Sequence, residues 1–102
     1  MPFHNMNQIR EANKRSGGHW FEPATLQFFG SRILAGLYGG RYFVTSEQPP
    51  HGPRRYSVRI AGDGGSIDTV GPFCGFASRR AAIRQAERLG RGEYPADPPA
   101  YL

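Results

Sequence analysis

The chain has a single cysteine, a single lysine and no long apolar run. With Cys74 as the one cysteine among 102 residues, no disulfide can form within the chain, which is typical of a protein in a reducing compartment. No apolar run approaches the roughly 20 residues that a transmembrane helix needs, and the N-terminus lacks the pattern of a signal peptide. These absences predict a soluble, cytoplasmic protein with no membrane partner.

The residue sets that carry catalysis or hold metals are also missing. His4, His19, His51 and Cys74 match no spacing of zinc ligands. Cys74 stands between an aromatic residue and glycine, which favours a small buried side chain over a nucleophile. Asp63 falls in a predicted turn, where aspartate is favoured for backbone reasons. We therefore expect no enzymatic activity, no metal and no cofactor.

The basic residues of the chain are mostly arginines. Thirteen basic residues, of which Lys14 is the one lysine, outweigh eight acidic ones and give a net charge of +5. Such a balance is typical of proteins that meet nucleic acid, an anionic membrane or an acidic protein. Arginine binds phosphate and carboxylate in a bidentate manner, although a GC-rich genome would also supply many arginine codons.

The arginines concentrate on one face of the predicted last helix, Ser78 to Leu89, with Ser78 as its N-cap. At about 100° per residue, one face of this helix is apolar; it carries Ala82, Ile83, Ala86 and Leu89. The opposite face carries Arg80, Arg84, Arg88 and Arg91. Because like charges four residues apart repel, this row is unfavourable unless an anion faces it.

The rest of the pattern predicts an α+β domain. A helix is expected from Asn5, its N-cap, to Arg15. A second one is expected from about Glu22, followed by three strands: Arg41–Ser46, Arg55–Ile60 and Ser66–Val70. The predicted order is α-α-β-β-β-α, a three-stranded antiparallel sheet with helices packed on one face. Residues 1–91 would form this single domain, and residues 92–102 a Pro-rich C-terminal tail.

The same pattern predicts which side individual side chains face. The second strand alternates, which predicts that Tyr56, Val58 and Ile60 point inward and that Arg55, Ser57 and Arg59 point outward. In the second helix, Leu26 and Phe29 mark the side that we expect to be buried, and Phe28 extends this apolar stripe. Trp20 and Phe21 have two interpretations, a stacking platform for a base or hydrophobic packing at the start of the second helix, and the second is favoured.

Two short motifs resemble the double-stranded-RNA-binding domain. They are the loop Pro50-His51-Gly52-Pro53 and the helix start Ser78-Arg79-Arg80-Ala81-Ala82. The resemblance implies an α-β-β-β-α fold from Pro23 onward. It also implies that His51 and Pro53 reach a minor groove while arginines of the helix start face phosphates. The order of residues in the loop, and arginine in place of lysine, depart from the family pattern.

A second resemblance is to an uncharacterised family of short proteins carried by phages and plasmids. It covers residues 8 to 89, and its segments include His19-Trp20-Phe21, Thr25–Ile33, Tyr42–Glu47, Arg55–Arg59 and Ile67–Gly71. The resemblance implies an accessory protein of a mobile element, placed in the host cytoplasm. Small phage proteins of this size often act on host defence, for example as anti-CRISPR inhibitors.

These observations give three functional hypotheses. The first is a non-catalytic module that binds duplex RNA or DNA, with a log–log salt slope of roughly −4 to −5 for about five phosphates. The second is an anti-CRISPR-type inhibitor that binds an acidic host defence protein. The third, which the sequence supports least, is an enzyme with His51 or Cys74 in its active site. The first two share the candidate binding residues His51, Arg54, Arg55, Arg79, Arg80, Arg84, Arg88 and Arg91.

Overall fold

The computed structural model describes residues 2–93, so that most of the predicted tail, residues 94–102, lies outside the described residues. Within these described residues, three helices and four strands follow one another: α1 (Met6–Arg15), α2 (Pro23–Phe28), β1 (Arg32–Ile33), β2 (Tyr42–Glu47), β3 (Arg55–Ala61), β4 (Ile67–Val70) and α3 (Arg79–Gly90). The α+β class is confirmed. The predicted three strands are wrong, because β1 adds a fourth strand.

The four strands form one antiparallel sheet in the order β1-β2-β3-β4. β1 contributes two residues, and its Arg32 pairs with Ser46 of β2. Two residues are too few to show an alternating pattern, which is why the sequence does not reveal this strand. The predicted turn between β3 and β4 is present, closed by a hydrogen bond of 2.8 Å from the Gly62 nitrogen to the Ser66 carbonyl.

Helix α3 packs on one face of the sheet. Val44 of β2 and Val58 of β3 are each 1% exposed and share a core cluster with Ala82 and Ala86, which are fully buried. Alanine at both contact positions lets the helix approach the strands closely. The predicted apolar face of the last helix is therefore correct. Its predicted N-cap is confirmed as well, since the Ala81 nitrogen donates to Ser78 Oγ over 3.3 Å.

The opposite face of the sheet is also covered, which contradicts the predicted packing of all helices on one face. Phe43 precedes Val44 in β2 and therefore points the other way. It is fully buried, and its ring lies 5.9 Å from that of Trp20 in the segment between α1 and α2. Helix α1 is held near the turn between β3 and β4 by a hydrogen bond of 2.9 Å from Asn13 Nδ2 to the Gly65 carbonyl.

This second layer explains the burial of polar residues in β3. Ser57 is 0% exposed and Arg59 is 7% exposed, so the prediction that both point into solvent is wrong. The alternation itself is correct, because these residues do lie opposite Val58. What lies over that face is a non-periodic segment of the chain, which an alternation pattern cannot indicate.

None of the helices found within residues 2–93 is long and apolar enough to cross a membrane.

Candidate functional site

The start of α3 presents three free arginines to solvent. Arg79, Arg80 and Arg84 are exposed, and within residues 2–93 none of them forms a salt bridge. Together with Ile83 and Glu87 they line an open groove of about 540 Å³. The buried alanine face of the helix fixes this orientation, because it places the arginines on the side away from the sheet. The groove therefore offers guanidinium donors and one carboxylate to any ligand.

The far end of the arginine row is neutralised by the protein itself. Arg91 Nε lies 2.6 Å from one carboxylate oxygen of Glu93, and Arg88 Nε lies 3.9 Å from the other. The hydrogen bond from Arg91 lowers the pKa of Glu93 below its ordinary value, and the same bond raises the pKa of Arg91. Arg88 and Arg91 are thus less available to an external anion than the three arginines near the helix start.

The other basic candidates have structural partners. The Arg54 guanidinium donates to the Gly30 carbonyl over 3.0 and 2.6 Å and to Ser46 Oγ over 3.0 Å. Arg55 Nε donates to the Cys74 carbonyl over 2.7 Å. Arg55 also lies on the sheet face opposite α3, because Val58, which contacts α3, is three positions away in the strand. These two arginines hold loops in place and do not extend the arginine row.

His51 is exposed in the loop between β2 and β3. This loop lies at the end of the sheet where α3 begins, since Tyr56 near the start of β3 forms a bridge with Phe76, just before α3. Of the eight predicted binding residues, Arg79, Arg80 and Arg84 lie together and form no salt bridge with any other described residue, and His51 lies at the same end of the sheet.

A buried ion pair on the other sheet face was not predicted. Arg59 Nη2 donates to Glu47 Oε2 over 3.0 Å, and Glu47 is only 1% exposed. Ser57 Oγ donates to the second carboxylate oxygen over 2.8 Å, while Ser31 Oγ lies 3.3 Å from Oε2. Glu47 is the last residue of β2, directly after its aromatic and β-branched residues. It pairs opposite Arg55 and lies near Arg59, and this arrangement could be predicted only if the register of the two strands were known.

The remaining polar contacts of this network are also internal. Arg59 Nε donates to Thr45 Oγ1 over 2.9 Å, and Nη1 donates to Thr69 Oγ1 over 2.5 Å. Among the described residues no buried side-chain nitrogen or oxygen lacks a hydrogen-bond partner. A fully satisfied network of this kind stabilises a single arrangement of the strands. It does not present a carboxylate poised for acid–base chemistry.

Three exposed phenylalanines lie beside the buried pair. Phe28, Phe29 and Phe73 are 79%, 49% and 45% exposed. The rings of Phe28 and Phe29 are 4.7 Å apart and those of Phe29 and Phe73 are 5.2 Å apart, both edge to face. We call these three residues the aromatic patch. The prediction that Phe29 lies on the buried side of the second helix is wrong, and Phe28, predicted to extend the apolar stripe, is exposed as well. Phe28 ends a helix of six residues, none of them buried, and Phe29 follows as its C-cap.

Phe73 is held by an unusual backbone conformation at the next residue. Cys74 has φ of 56°, in the left-handed region that non-glycine residues seldom occupy. Its nitrogen donates to Ser57 Oγ over 2.8 Å, and its carbonyl accepts from Arg55. This turn places the Phe73 ring 5.3 Å from the guanidinium carbon of Arg59, which also lies 5.5 Å from the Trp20 ring.

Two pockets flank the Phe29–Phe73 ring pair. One, of about 300 Å³, has Trp20 and Arg59 in its wall. The other, of about 500 Å³, is lined by Phe28, Glu47, Gln48, Pro49, Pro50 and Cys74 in addition to this ring pair. The aromatic walls and the prolines make the larger pocket predominantly apolar at its rim.

The histidines do not gather around a metal site. His19 Nδ1 lies 2.8 Å from Glu22 Oε1 on the exposed surface, and within residues 2–93 no group of three potential ligands is found. Burial raises the pKa of the Cys74 thiol, and the charge of Glu47 raises it further. A raised pKa is the opposite of what a nucleophilic cysteine needs.

Comparison with known proteins gives one match. A family model, described as a family of unknown function (DUF7447), matches residues 5–87. That range includes α1 through most of α3, so it covers both the free arginines and the aromatic patch. No curated protein and no solved structure matches the chain.

Proposed function

We propose that this chain, which belongs to that family of unknown function, is a non-catalytic protein that binds the phosphate backbone of duplex nucleic acid through Arg79, Arg80 and Arg84. The observation that carries the proposal is the contrast among the arginines of the chain. Most of those predicted to bind are engaged by carbonyls, hydroxyls or Glu93. These three line one groove, which Glu87 also borders, and within residues 2–93 they form no salt bridge.

The position of the groove supports the proposal. The first turn of a helix carries free backbone N–H groups and a partial positive charge, and Arg79 and Arg80 are the first two residues of α3. No acidic residue occurs in that first turn. Phosphate oxygens near this end would therefore meet guanidinium donors and a favourable helix dipole at the same point. Contacts of this kind fix position on a duplex without reading its sequence.

An accessory role in a phage or other mobile element belongs to the same proposal. The fold has four strands and covered sheet faces, so the support for RNA or DNA binding comes from the arginine groove and not from the resemblance to a double-stranded-RNA-binding domain. The competing hypothesis, inhibition of a host defence complex through an acidic protein surface, uses the same arginines and becomes an outcome of the test.

The test is fluorescence anisotropy with labelled random-sequence duplex RNA and DNA over a salt series. Three neutralised phosphates predict a log–log salt slope of about −3, shallower than the slope expected from the sequence. The R80Q/R84Q variant should lose most of the affinity. A matched control, K14Q/R15Q, removes the same charge from the end of α1, where both residues are exposed, and should change the affinity little.

Two results would contradict the proposal. One is the absence of binding to either duplex at low salt, which would leave the acidic-protein hypothesis. The other is equal loss of affinity in R80Q/R84Q and K14Q/R15Q, which would show that net charge and not the groove drives the interaction. Circular dichroism of each variant checks that the fold is intact.

A further inference from the structure

The aromatic patch differs from the rest of the described surface in that its large hydrophobic side chains are exposed. Among residues 2–93, the exposed large hydrophobic side chains are its three members, Phe28, Phe29 and Phe73. They are not scattered, since each ring touches the next edge to face. A contiguous exposed patch of aromatic rings on a small protein indicates an interaction surface, and it lies on the sheet face opposite the arginine groove.

The patch is rigid. The Gln48 nitrogen donates to the Phe29 carbonyl over 3.1 Å, which ties α2 to the end of β2. On the other side, the left-handed Cys74 and its two hydrogen bonds hold Phe73 against Arg59. Because Phe29 and Phe73 are thereby positioned before any partner arrives, ordering these two residues costs little conformational entropy on binding.

The charges around the patch indicate what kind of partner it fits. Arg54, Arg55 and Arg59 all border this region, and each guanidinium is engaged by a carbonyl, a hydroxyl or Glu47. Exposed rings can also stack on the bases of a single-stranded nucleic acid, but such a strand needs free cations for its phosphates. The patch offers apolar surface without free charge, which favours an apolar protein surface.

The shape of the patch adds a second argument. Phe28, at 79% exposure, projects from the surface, and it stands at the rim of the pocket of about 500 Å³ formed by the neighbouring aromatic and proline residues. A cavity of about 150 Å³ is enough to hold benzene, so this pocket has room for one phenyl ring. A projecting ring beside an apolar pocket on the same surface is self-complementary, as a twofold interface requires.

We propose that the aromatic patch is a homodimer interface, in which Phe28 of each copy inserts into the pocket beside Phe73 of the other. The charge distribution is consistent with this occupant. Two copies of a chain with net charge +5 would meet where neither presents a free charge. The arginine grooves, on the opposite sheet face, would stay open to an anion on both copies.

The size of the patch sets the expected affinity. At about 200 Å² for each aromatic side chain, the exposed fractions of the three rings correspond to about 350 Å² on each copy, and prolines and Gln48 at the rim add to it. This is below the roughly 800 Å² per partner of a standard stable interface. We therefore expect a reversible dimer with a Kd on the order of micromolar to hundreds of micromolar.

Analytical ultracentrifugation without nucleic acid tests the proposal. The weight-average mass of the wild type should rise from 11.3 kDa towards twice that value as the concentration increases from micromolar to about a millimolar. F28Q should stay monomeric over the same range, and since Phe28 is largely exposed this change should leave the fold intact. Q27A is the matched control, because Gln27 is exposed in the same helix, and it should dimerise like the wild type.

A cross-linking experiment then tests the inserted position. Q27C/C74S keeps Phe28 and has its only thiol next to it in α2, whereas the wild type has its only thiol in the pocket wall. A disulfide formed between the two proteins with diamide as oxidant is therefore intermolecular, and its mass identifies it. R15C/C74S, which places a thiol on exposed α1, should give much less of this product.

A wild type that remains at 11.3 kDa at the highest concentration would overturn the proposal. So would a dimer that F28Q does not weaken, because its interface would then lie elsewhere. Neither result bears on nucleic-acid binding, since the arginine groove is on the other sheet face and is tested separately.

Discussion

The side chains of Arg59 and Glu47 form an ion pair of 3.0 Å between Nη2 and Oε2 in a part of the protein from which solvent is almost excluded. Every polar atom of the pair that is buried has a partner within the sheet or its covering segments. The pair joins β2 to β3 and lies beneath the aromatic patch. Its contribution to stability is measured by unfolding, and because Glu47 also lines the pocket beside Phe73, its substitution does not serve to test the dimer interface.

Glu47→Gln should destabilise the protein by about 3 kcal/mol, because removing one partner leaves the other charge buried and uncompensated. Urea denaturation followed by circular dichroism measures the change. Glu11→Gln is the control, since it makes the same chemical change at an exposed position of α1 and should alter the free energy of unfolding by no more than about 0.5 kcal/mol. Equal effects of the two substitutions would show that the buried pair contributes nothing to stability.

Gly65→Ala should be more destabilising than an ordinary turn substitution. Gly65 has φ of 85°, and a Cβ added there would lie 2.7 Å from the Ala12 carbonyl carbon and collide with the Asn13 nitrogen. We expect a loss of about 3 kcal/mol or more, since α1 must move away from the turn. Gly52→Ala is the control for conformation alone: its φ is 111° with nothing within 4 Å, and about 1 to 2 kcal/mol is expected. Similar losses in the two variants, measured by urea denaturation, would contradict the close packing of α1 on the turn.

The Cys74 thiol should react slowly with iodoacetamide in the folded protein. Burial raises its pKa, and the charge of Glu47 raises it further, so at any given pH less of the reactive thiolate is present. The pH profile of the alkylation rate should therefore be displaced to higher pH than that of the same chain in urea. Under conditions where E47Q remains folded, the displacement should be smaller in that variant. Identical profiles in the folded and urea-unfolded wild type would disprove the expected environment.

The sequence predicts elements whose signal is local. Asn5 caps α1, as shown by the bond of 2.9 Å from the Gln8 nitrogen to Asn5 Oδ1, and Ser78 caps α3. Both follow from a capping residue just ahead of a periodic apolar pattern. The arginine row of α3 is also local in origin, because helical periodicity alone places its side chains opposite the buried alanines.

The features that the sequence does not predict depend on non-local pairing. The alternation of β3 predicts that Arg59 lies on a solvated strand face, yet Trp20, which lies 39 positions earlier in the chain, covers it. The partners of Arg54 and Arg55 are backbone carbonyls of other loops. Because every residue has a backbone carbonyl, the residue types do not indicate which one accepts the hydrogen bond. Phe28 and Phe29 illustrate the reverse case: an apolar helical stripe predicts burial, yet Phe28 at the end of α2 and Phe29 at its C-cap are both exposed.

The pairing of Glu93 with the end of the arginine row yields a gain-of-function prediction. Glu93→Gln should free Arg91, which lies 2.6 Å from one Glu93 oxygen, and Arg88, which lies 3.9 Å from the other. If the row binds phosphates as proposed, the affinity for duplex nucleic acid should rise several-fold, and each newly engaged arginine should steepen the log–log salt slope by about 0.9. Stability should hardly change, because both ion pairs are exposed.

Glu11→Gln provides the control for net charge in this experiment, since it removes one negative charge from α1, away from the arginine row. An increase in affinity that is equal in E93Q and E11Q, with no difference in salt slope, would show that the row has no specific role. A steeper slope in E93Q alone would require that Arg88 or Arg91 contact the nucleic acid directly, because a uniform change in net charge adds no phosphate contact at a defined site.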